Sequence, residues 1–221
     1  MGKIKILIAD DHAVVRDGTR QILEKEADMN VVAEAADGAE AIKLAGSTNP
    51  DVAIIDIAMP VLDGIEATRQ IKSLYPAVAV LILSAYDDDQ FVFSLLEAGA
   101  AGYLLKSVRG RELVDAVRQV FAGESVLHPS IARKVLNRFV PSPGKPAVQK
   151  PTEILSDREI EVLKLATRGL SNQEIADELC LSLRTVQAHI GHIFNKLQVS
   201  SRTEAVVRAL KEGWVTLKDI P

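Results

Sequence analysis

Acidic side chains follow two of the apolar stretches that have the composition of buried strands. Asp10 and Asp11 come directly after residues 4–9, and Asp56 comes directly after residues 52–55. If both stretches are parallel strands of one sheet, their carboxyl ends meet at one edge and bring the three carboxylates together. Like charges that close raise one another's pKa, and a hard divalent cation with oxygen ligands relieves that repulsion. The pattern therefore predicts a Mg²⁺ site.

A hydroxyl group and an ammonium group join these carboxylates at the predicted edge. Ser84 follows the apolar run 78–83, and Lys106 follows the run 102–105. With Mg²⁺ and Lys106 beside it, Asp56 stays ionised and can attack phosphorus, as carboxylates that form acyl phosphates do. The cation and the ammonium group would offset charge on the phosphoryl oxygens, one of which Ser84 would hydrogen-bond. Asp56 is therefore the predicted acceptor of a phosphoryl group.

The elements that must position these groups alternate along the first 124 residues. Short, continuous apolar runs, as expected for parallel strands buried on both faces, alternate with stretches long enough for crossover helices. The strand-like runs are residues 4–9, 31–33, 52–55, 78–83 and 102–105, and the helical stretches are about 13–28, 38–47, 63–74, 88–99 and 109–122. Right-handed crossovers then give an α/β fold with a flavodoxin-like, doubly wound, five-stranded parallel sheet.

The middle of the chain differs in composition from what precedes it. Prolines cluster between residues 141 and 151, as in an extended, mobile linker, and residues 131–139 could form a short helix before them. The net charge of −4 comes from an excess of acids in the first 124 residues, whereas residues 125–151 carry bases and no acids. We therefore expect three regions: a domain over 1–124, a linker over 125–151 and a second domain over 152–221.

Helix-capping patterns recur through the last region. Three Ser-x-x-Glu sequences match a capping box, in which the two side chains satisfy free amide groups at a helix start. They begin at Ser156, Ser171 and Ser201, with Ser182 as a further N-cap and Gly169 and Gly213 at C-cap positions. Two predicted helices, 172–179 and 183–197, are separated by a tight turn, which is helix-turn-helix geometry. The sequence predicts a small all-α domain.

The second of these two helices has an apolar stripe and a polar face. The stripe consists of Val186, Ile190, Ile193, Phe194 and Leu197 at helical spacing. The opposite face carries Arg184, Ala188, Gly191, His192 and Asn195, with Gln187 at its edge. A helix of this kind can bury the stripe and present the polar face to the major groove of DNA.

The first domain resembles the receiver of two-component response regulators. The resemblance rests on IADDH (8–12), IIDIAMPVLDG (54–64), ILSAY (82–86) and AGAAGYLLK (98–106). It implies that Asp56 is the phosphoacceptor and that Asp11 and Asp56 bind Mg²⁺ directly. Asp10 would help through water, and the carbonyl group of Ala58 would be a further ligand.

The same resemblance assigns a phosphoryl contact and a switch to three further residues. It implies that Lys106 pairs with the phosphoryl group and that Ser84 and Tyr103 form a switch pair, with Tyr103 turning inward on phosphorylation. Many receivers have proline after this lysine, where this chain has Ser107.

Residues 155–197 resemble the LuxR-type helix-turn-helix, and the chain as a whole is similar to NarL/FixJ-type response regulators. The resemblance implies a sensor histidine kinase as donor, promoter DNA as target and a homodimer after phosphorylation. The expected DNA-binding residues are Ser171, Asn172, Arg184, Thr185, Gln187, Ala188, Gly191, His192, Asn195 and Lys196. Gln187 and Gly191 replace two cations common in the family, which predicts weaker phosphate binding with a flatter salt dependence. Gln187 could instead read adenine edges.

Composition limits the other classes of function. The single Cys180 excludes an internal disulfide and a cysteine metal cluster, and no segment approaches the roughly 20 apolar residues that span a bilayer. We expect a cytoplasmic protein without a membrane partner that is not a conventional turnover enzyme. Two alternatives stay open. One is a phosphatase with an Asp nucleophile, although Ala58 replaces the second acid that such enzymes carry. The other is a phosphate-independent DNA-binding or protein-interaction regulator with a vestigial acidic site.

Overall fold

A parallel β-sheet organises the N-terminal part of the chain in a computed structural model that describes residues 2–85, 89–127, 154–212 and 214–215. Its strands are β1 (Ile4–Ala9), β2 (Met29–Ala35), β3 (Val52–Ile55), β4 (Ala79–Ser84), β5 (Gly102–Leu105) and β6 (Val126–Leu127). They lie in the order β2-β1-β3-β4-β5-β6. From β1 the chain adds β2 on one side of the sheet and then β3 on the other side. The crevice beyond the carboxyl ends of β1 and β3 is the place where such sheets bind ligands.

Helices connect successive strands and cover both faces of the sheet. They are α1 (Ala13–Leu23), α2 (Gly38–Thr48), α3 (Gly64–Leu74), α4 (Asp89–Glu97) and α5 (Gly110–Phe121). Helix α1 contacts α5, whereas α3 contacts both α2 and α4. Apolar side chains of α1 and α5 pack with those of the strands in one large buried cluster. The predicted fold class, a doubly wound flavodoxin-like domain, is confirmed.

The first helix is shorter than the sequence predicted. It ends at Leu23 rather than at residue 28, and β2 begins at residue 29. Glu26 and Asp28, which lie between the two elements, pair with Arg118 of α5 at 2.7 and 2.9 Å. A tertiary contact thus overrides the helix propensity of this acidic segment.

The sheet has a sixth strand that the sequence prediction of five strands missed. Strand β6 lies in the region assigned to the linker, and its Val126 pairs with Gly102 of β5. A side chain at Gly102 would place its Cβ 2.8 Å from the Val126 carbonyl oxygen, so glycine permits this close approach. Two residues are too few to give a recognisable strand pattern.

The chain divides into two compact units, residues 1–131 and 132–221. The described helices of the second unit are α6 (Asp157–Thr167), α7 (Asn172–Glu178), α8 (Leu183–Leu197) and α9 (Arg202–Lys211). Helix α8 packs against α6, α7 and α9. Its predicted apolar stripe, from Val186 to Leu197, lies in the core of this unit. The predicted short helix at 131–139 lies outside the described residues.

The helix starts follow the predicted capping pattern with one difference. Ser156 and Ser171 form complete capping boxes, and Ser182 accepts a hydrogen bond from the Thr185 amide. Ser201 caps α9 through its side chain, but the Glu204 carboxylate reaches the amide of Ser200 at 2.7 Å instead of closing a box. Gly169 has a φ of 83°, as expected after a helix C-cap. Gly213 lies outside the described residues.

No helix in the described ranges is long and apolar enough to cross a bilayer.

Candidate functional site

Two buried carboxylates lie side by side at the carboxyl end of the sheet. Asp10 follows β1 and Asp56 follows β3, and the Asp56 amide donates a hydrogen bond to the Ala9 carbonyl at 2.8 Å. Asp10 is only 4% exposed and Asp56 only 3%. The pairing of neighbouring strands therefore brings together two acids that are 46 positions apart in sequence, and it does so at the predicted edge.

Lys106 joins both carboxylates. Its Nζ atom lies 2.8 Å from Asp10 Oδ2 and 2.8 Å from Asp56 Oδ2. The lysine directly follows β5, and its amide donates to the Ser84 carbonyl at the end of β4. The ends of β1, β3 and β5 thus contribute side chains to one ion-paired group, as the sequence predicted, and Ser84 at the end of β4 adjoins it through its backbone carbonyl.

Burial and charge have opposite effects on the pKa values of Asp56 and Lys106. Burial raises the pKa of Asp56, while the hydrogen bond and the charge of Lys106 lower it only in part and the charge of Asp10 adds to the rise. Burial by itself would lower the pKa of Lys106, but the hydrogen bonds and charges of Asp10 and Asp56 outweigh it and raise that pKa. The charge and hydrogen bond of Lys106 therefore favour the ionised form of Asp56, which is the form that a nucleophile needs.

The remaining acid and a histidine extend the cluster toward solvent. One ligand atom each from Asp10, Asp11, His12 and Asp56 lies within 4.8 Å of the other three. Ligand atoms on opposite sides of a small divalent ion are roughly 4.2 Å apart, since each bond is about 2.1 Å long. The cluster fits such an ion after a small inward movement, and the chemistry of its oxygen atoms suits Mg²⁺.

The loop after Asp56 folds back on the backbone of that residue. Gly64 donates its amide to the Ile57 carbonyl at 2.8 Å, and a Cβ at this glycine would lie 2.0 Å from the Asp56 carbonyl oxygen. Only glycine fits there. Within the loop Ala58 is exposed, and Val61 has a φ of 65° that a β-branched residue rarely adopts.

The two predicted switch residues lie deep in the sheet. Ser84 and Tyr103 are both fully buried. The sequence analysis expected Tyr103 to turn inward on phosphorylation. The ring is buried in this structure, and its movement on phosphorylation stays a prediction.

Sequence analysis assigned no role to two residues that contact the acidic cluster. His12 Nδ1 lies 2.7 Å from Asp11 Oδ1, and its amide donates to Asp10 Oδ1 at 2.9 Å. Arg16 Nη1 donates to the Asp10 carbonyl at 2.6 Å and so fixes the start of the β1–α1 loop. His12 could have been found from its place in IADDH, but the contact of Arg16 depends on how α1 meets the loop.

Helix α8 presents most of the predicted DNA-binding residues to solvent. Its exposed members are Arg184, Gln187, Ala188, His192, Asn195 and Lys196, while Thr185 and Gly191 are partly buried. The apolar stripe faces the core, so the polar face is the outer one, as the sequence predicted.

Three of the predicted DNA contacts have structural roles. Asn172 is 3% exposed, and its Oδ1 accepts a hydrogen bond from Arg202 Nη1 at 2.9 Å. Its side chain is therefore not presented for DNA, which corrects the sequence prediction. The Ser171 hydroxyl caps α7, and the Thr185 hydroxyl is 2.7 Å from the Ser182 hydroxyl.

Lys196 is exposed and yet tied to the interior of the second unit. Its Nζ atom donates to Glu159 Oε2 at 2.7 Å, and the same carboxylate accepts from the amide of Ser156. Burial would raise the pKa of Glu159, but the bonds from Lys196 and Ser156 outweigh it and lower that pKa to about 2. The lysine is therefore at least partly structural.

Comparison with known proteins follows the division into two units. Residues 6–118 match the response regulator receiver domain family, and residues 153–209 match the LuxR family of bacterial regulatory proteins. Among curated proteins, the chain is 40% identical to the transcriptional regulatory protein DegU of Brevibacillus brevis, covering 98% of this chain and 97% of DegU. It is 42% identical to the transcriptional regulatory protein LiaR of Bacillus subtilis (strain 168), covering 93% and 96%.

Solved structures give the same family. The response regulator ChrA of a heme-sensing two-component system is 39% identical, with a TM-score of 0.53, over 97% of this chain and 100% of ChrA. A structure of two RcsB dimers bound to two parallel DNAs is 27% identical, with a TM-score of 0.57, over 96% and 99%. Since both domain families and relatives over nearly the whole length agree, this chain belongs to the NarL/FixJ-type two-component response regulators, which join a phosphorylated receiver to a LuxR-type DNA-binding domain that regulates transcription.

Proposed function

We propose that Asp56 is the residue of this regulator that accepts the phosphoryl group of a sensor histidine kinase. The observation that carries the proposal is the buried Asp56 carboxylate, ion-paired to Lys106 at 2.8 Å beside Asp10. An Asp56 oxygen would attack the phosphorus of phosphohistidine. The P–O bond forms as the P–N bond breaks, and the imidazole nitrogen takes the leaving electron pair.

Mg²⁺ is the proposed cofactor of this step. Asp11 and Asp56 would hold it directly, Asp10 through water, and the exposed Ala58 would offer its carbonyl group. When bound, the cation offsets negative charge on the phosphoryl oxygens. Lys106, already at the mouth of the site, would move its ammonium group from the carboxylates to a phosphoryl oxygen, with Ser84 donating to another.

Phosphorylation would then change the surface formed by the β4–α4 region and β5. The buried Ser84 and Tyr103 lie on the neighbouring strands β4 and β5, so a new contact at Ser84 would reach Tyr103 by way of these paired strands. The expected output is a homodimer on promoter DNA, for which the dimers of the relative RcsB on DNA offer a precedent. We place the protein in the cytoplasm, because a DNA-binding regulator must reach the chromosome.

We propose that the chain has three functional regions. Residues 1–124 with the appended β6 would form the receiver, 125–151 the connecting segment and 152–221 the DNA-binding domain. On α8, Arg184 would contact phosphate, and Gln187 with Ala188 would meet base edges and thymine methyl groups. Asn172 is excluded from this set by its burial.

The experiment that tests this function measures DNA binding with and without a phosphodonor. DNA selected by the parent protein from a random pool is titrated in the presence of Mg²⁺, before and after treatment with acetyl phosphate. We expect tighter binding after treatment of the parent, and no change for Asp56→Asn. The matched control is Asp17→Asn, an exposed acid of α1, which should respond like the parent.

The titration and a turnover assay together separate the two rival functions. Equal binding by the parent and Asp56→Asn, with and without phosphodonor, would favour the phosphate-independent regulator with a vestigial acidic site. Repeated turnover of small phosphate esters with Mg²⁺ would favour a phosphatase. The exposed Ala58, which offers no carboxylate as a general acid, is the feature against the phosphatase.

A further inference from the structure

We propose that the imidazole of His12 is a nitrogen ligand of the divalent cation at the acidic cluster, so that the cluster prefers a first-row transition cation such as Mn²⁺, which accepts nitrogen more readily, over Mg²⁺. This inference rests on the proposed cation site and adds to it a ligand and a selectivity. The cluster is defined as Asp10, Asp11, His12 and Asp56, whose ligand atoms lie within 4.8 Å of one another.

The ring nitrogen of His12 points at the same space as the carboxylates. Nδ1 lies 2.7 Å from Asp11 Oδ1 and 3.5 Å from Asp10 Oδ1. The His12 backbone is fixed, because its amide donates to Asp10 Oδ1 at 2.9 Å. The ring therefore lies at the rim of the cluster, with one nitrogen on the carboxylate side.

A simple ion pair gives a weaker account of this arrangement. The His12 side chain is 67% exposed, and a hydrogen bond between two partly exposed side chains contributes little to stability. The cluster has three carboxylates, and Lys106 is the cation within 4 Å of two of them. A divalent cation would remove the remaining negative charge, and on binding it would take the place of the hydrogen bond between His12 and Asp11.

The exposure of the ring also permits the movement that binding requires. The ligand atoms lie within 4.8 Å of one another, and opposite ligands of a small cation are roughly 4.2 Å apart, so an exposed side chain reaches its ligand position by a small rotation. Mg²⁺ binds oxygen and keeps several waters, so it gains little from an imidazole, whereas Mn²⁺ and later first-row cations accept nitrogen ligands. Selectivity should therefore depend on His12 while basic metal binding depends on the acids.

The test uses the full-length protein loaded with Mn²⁺ and measured by electron spin-echo spectroscopy, which detects ¹⁴N bound to the metal. We expect an imidazole nitrogen signal in the parent and its loss in His12→Asn. His192→Asn removes an exposed histidine of α8 and should keep the signal. Metal titrations of the same proteins should give a Kd for Mn²⁺ that rises roughly tenfold in His12→Asn, with the Kd for Mg²⁺ nearly unchanged.

Each outcome decides one level of the proposal. Mn²⁺ bound without a nitrogen signal, or a signal that persists in His12→Asn, overturns the role of His12 and leaves the oxygen site intact. An equal rise in the Kd of both cations also overturns it, since the substitution would then have disturbed the carboxylates. Failure of both cations to bind the parent would overturn the cation site itself.

Discussion

Lys106 Nζ lies 2.8 Å from Asp56 Oδ2, in an ion pair between residues 50 positions apart in the chain. The same ammonium group is 2.8 Å from Asp10 Oδ2. Lys106 thus supplies a positive charge to both carboxylates. In the proposed mechanism a divalent ion and a phosphoryl group would both bind beside that ammonium group, and Lys106 would couple the binding of one to the binding of the other.

Replacement of Lys106 by methionine should tighten Mg²⁺ binding and impair phosphoryl acceptance. Unit charges about 4 Å apart repel by about 4 kcal/mol at an effective dielectric constant of about 20, and the metal ion would no longer meet that repulsion. We expect the Kd for Mg²⁺, measured by calorimetric titration, to fall at least roughly tenfold. Lys43→Met, at an exposed position of α2, is the control. An unchanged Kd in Lys106→Met would show that the ammonium group and the metal do not share the site.

Backbone strain in the loop after Asp56 should be measurable as lost stability. Val61 has a φ of 65° and is 86% exposed, so its strain is not offset by burial. Asparagine tolerates this conformation, and Val61→Asn should stabilise the receiver by about 1 kcal/mol. Scanning calorimetry would record a higher melting temperature.

Val14 provides the control for that experiment. It is 85% exposed but lies in helix α1, so Val14→Asn should bring no gain. Equal effects of the two substitutions would mean that loss of exposed apolar surface, and not relief of strain, is being measured.

Lys196→Met should weaken the DNA-binding unit itself. The substitution leaves the buried Glu159 carboxylate without its ion pair, at a cost of about 1–3 kcal/mol. Arg184→Met, on the exposed face of the same helix, should instead lower DNA affinity at unchanged stability. Urea unfolding followed by Trp214 measures the first effect, because this single tryptophan lies in the second unit. If Lys196→Met unfolded at the same urea concentration as the parent, Lys196 would have no structural role and would serve DNA binding alone.

The Glu159 carboxylate should also make this unit acid-sensitive. Its pKa is lowered from 4.5 to about 2 in the folded protein. A carboxyl group whose folded pKa lies below its unfolded value stabilises the fold above pH 4.5, and this contribution is lost as pH falls toward about 2. Urea midpoints from Trp214 fluorescence should decline over that window in the parent and decline less in Glu159→Gln. Parallel declines would assign the acid sensitivity to other groups.

Local sequence patterns were sufficient to predict the elements that carry the site. The bounds of β1, β3, β5 and α8 agree with prediction, because each is a strongly apolar run or a clear helical period with a cap. Parallel strands then bring Asp10, Asp56 and Lys106 together by topology alone.

The features that the sequence did not predict depend on contacts between residues far apart in the chain. Asn172 follows a helix cap and reads as a surface residue, and its burial is set by Arg202, 30 positions later. Glu159 and Lys196 are 37 positions apart, so their pairing could not be inferred from spacing. Strand β6 has no pattern of its own and exists because Gly102 lets Val126 approach.

The central claim, that Asp56 accepts a phosphoryl group, is tested most directly by intact-mass measurement after incubation with acetyl phosphate and Mg²⁺. We predict that the parent and the control Asp17→Asn each gain one phosphoryl group, whereas Asp56→Asn gains none. A parent that stays unmodified, or an Asp56→Asn protein that gains the same mass, would contradict the account.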